Sequence, residues 1–216
     1  MTIKRGRAYA TAVVMLAVAS VAANQAEASA STFGASWQLN ETSGAVVDQL
    51  NGNNGTVHGG VTRPGDGSYH FNGVSGYVSV PNSASLNPRA AGIAITVKFS
   101  LAGNPSAGYD YDLVRKGLAG TSGGDYKVEV LDNGAALCRF RGSAAAELRG
   151  GTNLGVGTHT VRCVKATTAV SLWVDGVRKS SKTVAVGSIS NSQPVILAAK
   201  PGDDFTKGLI DYIKIT

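Results

Sequence analysis

From residue 31 onward the chain nowhere sustains the 3.6-residue apolar period of an amphipathic helix. Short runs instead alternate apolar and polar residues at every second position. "GYVSVP" (76–81), "GIAITVKFSL" (92–101), "DYKVEVL" (125–131), "HTVRCVKA" (159–166), "AVSLWVDG" (169–176) and "GLIDYIKIT" (208–216) are the clearest. "ASWQLN" (35–40), "GSYHFNG" (67–73), "YDLVRKG" (111–117), "ALCRFRG" (136–142), "KTVAVG" (182–187) and "PVILAAK" (194–200) read the same way. Their interiors are rich in Val, Ile, Thr, Tyr and Phe, the residues that fit a pleated, half-buried surface. Turn chemistry separates them: "DNG" at 132–134 and "DGV" at 175–177 are tight hairpin signals, and "NGNNG" (51–55) and "RPGDGS" (63–68) are loops. Strands about 8 to 14 residues apart, with no helical pattern between them, predict an all-β, two-sheet antiparallel sandwich rather than a parallel α/β sheet.

The first 30 residues are of another kind. "MTIKRGR" carries Lys4, Arg5 and Arg7, "AYATAVVMLAVASVAA" has no charge over 16 residues, and "AEASA" ends in small residues. A basic head, an apolar middle and an A-x-A end predict a secretory signal peptide over 1–30. The competing reading, a membrane anchor, asks for about 20 apolar residues. Residues 31–216 are then one domain, large enough for a single β-sandwich. The full chain has 20 Lys+Arg and 14 Asp+Glu; removing Lys4, Arg5, Arg7 and Glu27 leaves 17 against 13, or +4. That mild excess, with no basic run and no interleaved aromatics, argues against a nucleic-acid partner.

Two cysteines, Cys138 and Cys163, in an exported protein predict a disulfide, with two buried thiols as the alternative. Parity puts Cys138 on a face with Ala136 and Phe140, and Cys163 on a face with Val161. If the two strands are neighbours the sulfurs meet. Two cysteines without close histidines are too few ligands for zinc.

"SWQLNETSGAVVDQLNGNNGTVHGG", "YHFNGVSGYVSVPNSASLNP", "ITVKFSL", "LVRKG", "DYKVEV", "CRFRG", "GTHTVRCVK", "LWVDG" and the closing "FTKGLIDYIKI" follow in order. This ordered set resembles bacterial LamG-like (laminin G, concanavalin A-like lectin/glucanase) domains over about residues 35–216. One departure is Thr158, where many such domains have Trp. The resemblance implies a jelly roll of about a dozen antiparallel strands that binds glycans or proteins, often with a structural calcium. Strict alternation places Asp211 with Leu209, Ile213 and Ile215 on an apolar face, where a carboxylate needs a partner. The resemblance implies a calcium held by Asp211, the carbonyl of Gly73 and a carbonyl near Trp37–Leu39. The alternative is that Asp211 accepts N–H bonds from the N-terminal strand. Both readings tie the last strand to the first. Asp203 and Asp204 read as solvated loop acids, and Asp48 as a turn cap.

No E-x-D-x-x-E of the glucan hydrolases, no G-x-S-x-G, no phosphate loop and no H-E-x-x-H occurs. Asp110 and Asp112 are the nearest candidates for paired catalytic acids. The favoured expectation is a secreted, non-catalytic module that binds a glycan or another extracellular surface polymer. Tyr109, Asp110, Tyr111, Asp112, Arg141 and Arg149 are its candidate ligand-binding residues, since sugar sites combine aromatic faces with polar groups. The alternatives are a polysaccharide-cleaving enzyme of the same fold, which needs two convergent carboxylates in a groove, and a protein-adhesion or matrix module, which needs a flat apolar patch.

Overall fold

The computed structural model describes residues 33–200 and 202–216, together with Met1. The expected signal segment lies, but for Met1, outside the described residues. In chain order the strands are β1 (Ala35–Trp37), β2 (Thr56–His58), β3 (Val61–Thr62), β4 (Tyr69–Asn72), β5 (Tyr77–Val80), β6 (Ile93–Leu101), β7 (Asp110–Lys116), β8 (Asp125–Leu131), β9 (Ala136–Arg141), β10 (Ala145–Gly150), β11 (Thr158–Lys165), β12 (Ala169–Val174), β13 (Val177–Thr183), β14 (Val195–Leu197) and β15 (Lys207–Ile215). A single 3-10 turn, Ala84–Leu86, is the helical content among the described residues. No helix there is long and apolar enough to cross a membrane.

The strands form two antiparallel sheets, as the alternation predicts. One runs β13-β12-β11-β6-β15-β4-β3, with β1 also paired to β15; the other runs β10-β9-β8-β7-β14-β5-β2. Every second residue of each sheet points inward. Ile93, Ile95, Val97, Phe99 and Leu101 of β6 meet Tyr126, Val128 and Val130 of β8 in one core, with Trp37 and Phe140 fully buried. "DNG" turns β8 into β9, with Gly134 at φ +74° and its N–H donating to the Leu131 carbonyl. "DGV" turns β12 into β13 with positive φ at both Asp175 and Gly176, the mirror-image turn that suits twisted hairpins.

Cys138 and Cys163 form the disulfide, with Cα atoms 5.7 Å apart. The strands are not neighbours, however. Cys138 is on β9 and Cys163 on β11, so the bond crosses the core from sheet to sheet. Packed sheets lie about 10 Å apart, so the bond marks a place where the two layers pinch together.

Of three register shifts, one in the β12–β13 edge and two in β15 and β7, the latter two redirect the faces that matter to a site. In β15 the register shifts between Ile210 and Tyr212, leaving Asp211 as the extra residue. Ile210, Ile213 and Ile215 are buried and Asp211 is turned outward, where it pairs with Lys98 Nζ at 2.7 Å. The expected acid on an apolar face is therefore not there. Gly73 lies beside Lys207, four residues along β15 from Asp211, or about 13 Å of strand. One ion cannot bridge the two, so the calcium set of Asp211 and Gly73 is corrected by the strand register. Asp48 fastens the N-terminal segment instead. Its carboxylate accepts N–H bonds from Ser36, Leu50, Asn51 and Asn53 and from the Asn53 side chain, at 2.7–3.1 Å.

Candidate functional site

The outer face of the seven-stranded sheet carries most of the ion pairs among the described residues. One cross-strand row reads Thr56, Ser79, Ile196, Arg115, Lys127, Arg139, Glu147. The next reads Asp112, Glu129, Leu137, Arg149. Asp112 and Arg115 are three residues apart, so strict alternation would put them on opposite faces. The second bulge, at Leu113 in β7, turns both outward. Arg115 then grips Asp112 with two bonds, Nε to Oδ1 at 2.8 Å and Nη2 to Oδ2 at 2.7 Å, and also donates to Glu129 Oε1 at 3.0 Å. Lys127 donates to the same Glu129 oxygen. Asp112 is 0% and Glu129 1% exposed, so this is a desolvated network whose members hold one another in place.

Asp110 completes the cluster. Carboxylate oxygens of Asp110, Asp112 and Glu129 lie within 4.8 Å of one another, a spacing at which three acids could hold a metal ion. Three of the six oxygens already accept from Arg115 or Lys127. Two others, Asp110 Oδ1 and Glu129 Oε2, are shut from solvent with no hydrogen-bond partner. Burial first, then the charges of Glu129 and Asp204, push the Asp110 carboxyl up to about 6, against the weaker pull of Lys127 and Lys200.

The β14–β15 connection covers this cluster. Thr206, fully buried, donates its hydroxyl to the Asp112 carbonyl, and the Asp112 N–H donates to the Asp204 carbonyl. That anchoring sets Lys200, Asp203, Asp204 and Phe205 over Asp110, with Lys200 Nζ donating to both acids. Asp203 and Asp204 are thus ion-paired parts of the wall rather than free loop acids.

Three depressions line up along β7. The middle one, about 300 Å³, holds Asp110, Glu129, Lys127 and Arg139. It shares Asp110 and Asp204 with a larger one of about 600 Å³, bordered by Asn104, Tyr109, Tyr111 and Phe205. At its other end it shares Arg115, Gly117 and Leu118 with one of about 220 Å³, bordered by Pro194 and Ile196. Together they make a trough from Tyr109 to Leu118. The seven residues of β7 alone span about 23 Å.

Of the sequence candidates, Tyr109 is at the rim and 59% exposed, and Asp110 lies at the centre. Tyr111 borders the larger depression while packing on the core. Asp112 is sealed into its pair with Arg115 and works from beneath. Arg141 stands two strands away, donating to Asp125 at 2.6 Å, and Arg149 pairs with Glu147 on the edge strand. The trough does not include either arginine. Glu129, Arg115, Lys127, Lys200 and Phe205 were missed. Asp125, Lys127 and Glu129 alternate in "DYKVEV", a charged stripe legible as an outward face. The bulge that brings Arg115 to Asp112 leaves no such mark.

Residues 71–216 match the family described as the concanavalin A-like lectin/glucanases superfamily. No curated protein matches the sequence. Solved structures share the fold at low identity. The binding domain of Paraclostridial Mosquitocidal Protein 1 is 15% identical with a TM-score of 0.65, over 85% of this chain and 48% of that one. The binding domain of botulinum neurotoxin DC, in complex with SialylT, is 12% identical with a TM-score of 0.61, over 86% and 48%. Trypanosoma rangeli sialidase is 14% identical with a TM-score of 0.61, over 84% and 30%. The chain spans half or less of each.

Proposed function

The chain belongs to the concanavalin A-like lectin/glucanases superfamily, and from that premise we propose that it is a secreted module that binds a glycan in the trough along β7. The observation that carries this reading is the composition of the trough. An exposed aromatic, Tyr109, stands with Phe205 and Asn104 beside the polar side chains of Asp110, Asp204 and Lys207. Sugars present apolar ring faces to aromatics and hydroxyls to such polar groups. The similar binding domain of botulinum neurotoxin DC in complex with SialylT, and botulinum neurotoxin type C, whose cell entry depends on interaction with two ganglioside molecules, support a glycan as the ligand class. Export is supported by the leader-like first 30 residues and by a cystine bridging the core, a bond favoured in oxidising compartments. A length of trough greater than one sugar ring favours an internal stretch of oligosaccharide over a single terminal sugar.

A glycan array tests the reading, comparing the wild-type protein with a Tyr109→Ala/Phe205→Ala double variant. Loss of aromatic stacking should weaken the hits by about tenfold or more, about 1–3 kcal/mol. Equal signals from both proteins would remove the trough from the binding surface. The array is run with calcium and with chelator. Signals lost on chelation and restored by calcium would show that binding needs the ion, for which Asp110, Asp112 and Glu129 are the candidate ligands.

A further inference from the structure

We propose that the outer face of the eight-stranded sheet is a docking surface for an anionic phospholipid membrane. The inference stands apart from the glycan reading, because it uses the opposite face of the sandwich.

Strand pairing sets one row across that face: Arg178, Trp173, Arg162, Thr96, Lys214 and Ser36, from β13, β12, β11, β6, β15 and β1 in turn. Its cations fall on every second strand, about 10 Å apart, and Arg178 and Lys214 are about 19 Å from each other. Arg162, Arg178 and Lys214 are exposed, and none of the three meets an acid among the described residues. Lys98 joins them from the next row, where it holds Asp211 at 2.7 Å. Asp175, at the β12–β13 turn, is engaged by His159 and by the Thr160 N–H. Four cations thus surround one acid, Asp211, on this face, and Lys179 and Lys182 stand exposed along the edge strand.

Unpaired surface cations by themselves serve solubility. These flank aromatics. Trp173 is half-buried between Arg178 and Arg162, with the Arg178 guanidinium 5.9 Å from its ring centre. Its indole N–H is turned aside to the Ser171 hydroxyl at 3.0 Å. Tyr212, also half-buried, pairs across the ladder with Lys98. Val177, beside Arg178 at the turn, is 55% exposed. Trp and Tyr settle at the headgroup level of a bilayer, where one end of the ring system is apolar and the other wet. Arg and Lys lay their stems on apolar surface and reach phosphates with their charged ends.

The spacing selects the partner. Cations about 10 Å apart cannot converge on one phosphate, so the ligand has to present many anions at once. Lys98, Lys179 and Lys182 lie off the row, so the charge covers an area rather than a line. A plane of phosphodiester headgroups meets both conditions. Docked this way, the sheet leaves the trough along β7 on the far side, open to solvent and to a glycan.

The test is flotation of the secreted chain with vesicles of phosphatidylcholine, alone or with about one-third phosphatidylglycerol. Binding should need the anionic lipid and should fall at least about tenfold between about 50 and 500 mM salt. Arg162→Gln/Arg178→Gln should weaken it about 30-fold. Arg89→Gln/Arg149→Gln removes the same charge away from this face and should change it less than about threefold. A second measurement uses the wild-type protein. Trp37 is fully buried, so a nitroxide on the lipid headgroup should quench Trp173 once the chain is bound to anionic vesicles. Absence of binding, equal binding to neutral vesicles, equal losses in the two variants, or emission unquenched at saturating lipid each overturns the proposal. Displacement by millimolar glycerol phosphate also overturns it, in favour of a site for one phosphate. Tighter binding to soluble polyphosphate than to vesicles overturns it in favour of a linear polymer.

Discussion

Asp48 shows how one buried carboxylate can organise a chain terminus. Its two oxygens take five hydrogen bonds, four from backbone N–H groups, and tie the loop after Trp37 to the strand before it. Burial alone would raise its pKa, but the N–H groups of Ser36, Leu50 and Asn53 outweigh that and hold the carboxyl below its ordinary value. A depressed folded-state value means that the unfolded chain binds the proton more readily. The stabilisation is therefore complete above about pH 4 and fades as pH falls through the lower, folded value. Asp48→Ala leaves five donors without their acceptor and should cost about 3 kcal/mol at pH 7. Denaturant unfolding at pH 7 and pH 2.5 checks this. The gap between wild type and variant should shrink at the acid end, and a gap that is constant with pH would mean that the ionised carboxylate is not the source. Asp110 is the opposite case: the same kind of side chain is raised, first by burial and then by the charges of Glu129 and Asp204.

At the scale of elements, alternation told which apolar residues face inward wherever the ladder is regular, and β6, β8 and β9 bury every such residue, with Ala94, Asp125, Glu129 and Leu137 covered on the other face as well. It failed where a bulge intervenes. In β15 the extra Asp211 lets Ile210 and Ile213 share the inner face, and in β7 the extra Leu113 lets Asp112 and Arg115 share the outer one. Neither insertion has a local signature, because a bulge answers to the partner strand's length. Edge strands were the other loss. β13, "VRKSSKT", is exposed nearly throughout, so no apolar face marks it, and its lysines are what an unpaired edge needs to discourage further pairing. Parity likewise assigned Cys138 and Cys163 to inner faces without telling which sheet each belongs to. Because the bond joins the two layers across 25 residues of chain, replacing both cysteines with Ala should lower stability by about 3 kcal/mol. Guanidinium unfolding of the variant, with reduced wild type beside it, measures that. No loss in either would show that packing alone closes the pinch between the sheets.

Over the whole molecule, a mildly basic chain carries a site whose charges nearly balance. Residues 31–216 carry +4, whereas the trough and its wall set Asp110, Asp112, Asp125, Glu129, Asp203 and Asp204 against Arg115, Lys127, Arg139, Lys200 and Lys207. All of those cations but Lys207, at the rim of the larger depression, are already engaged by an acid, so the trough offers little to an anionic sugar. The unsatisfied capacity is acceptor oxygen, which selects hydroxyl donors. A neutral oligosaccharide should therefore bind with an affinity that changes less than about twofold between about 50 and 500 mM salt, since no net charge is exchanged. Its sialylated or sulfated counterpart should bind more weakly, and should gain as salt screens its repulsion from Asp110 and Glu129. Titration calorimetry on matched neutral and acidic oligosaccharides separates the cases. Tighter binding of the acidic member, weakened by salt, would place recognition on the basic surface outside the trough and leave the paired charges along β7 with a purely architectural part.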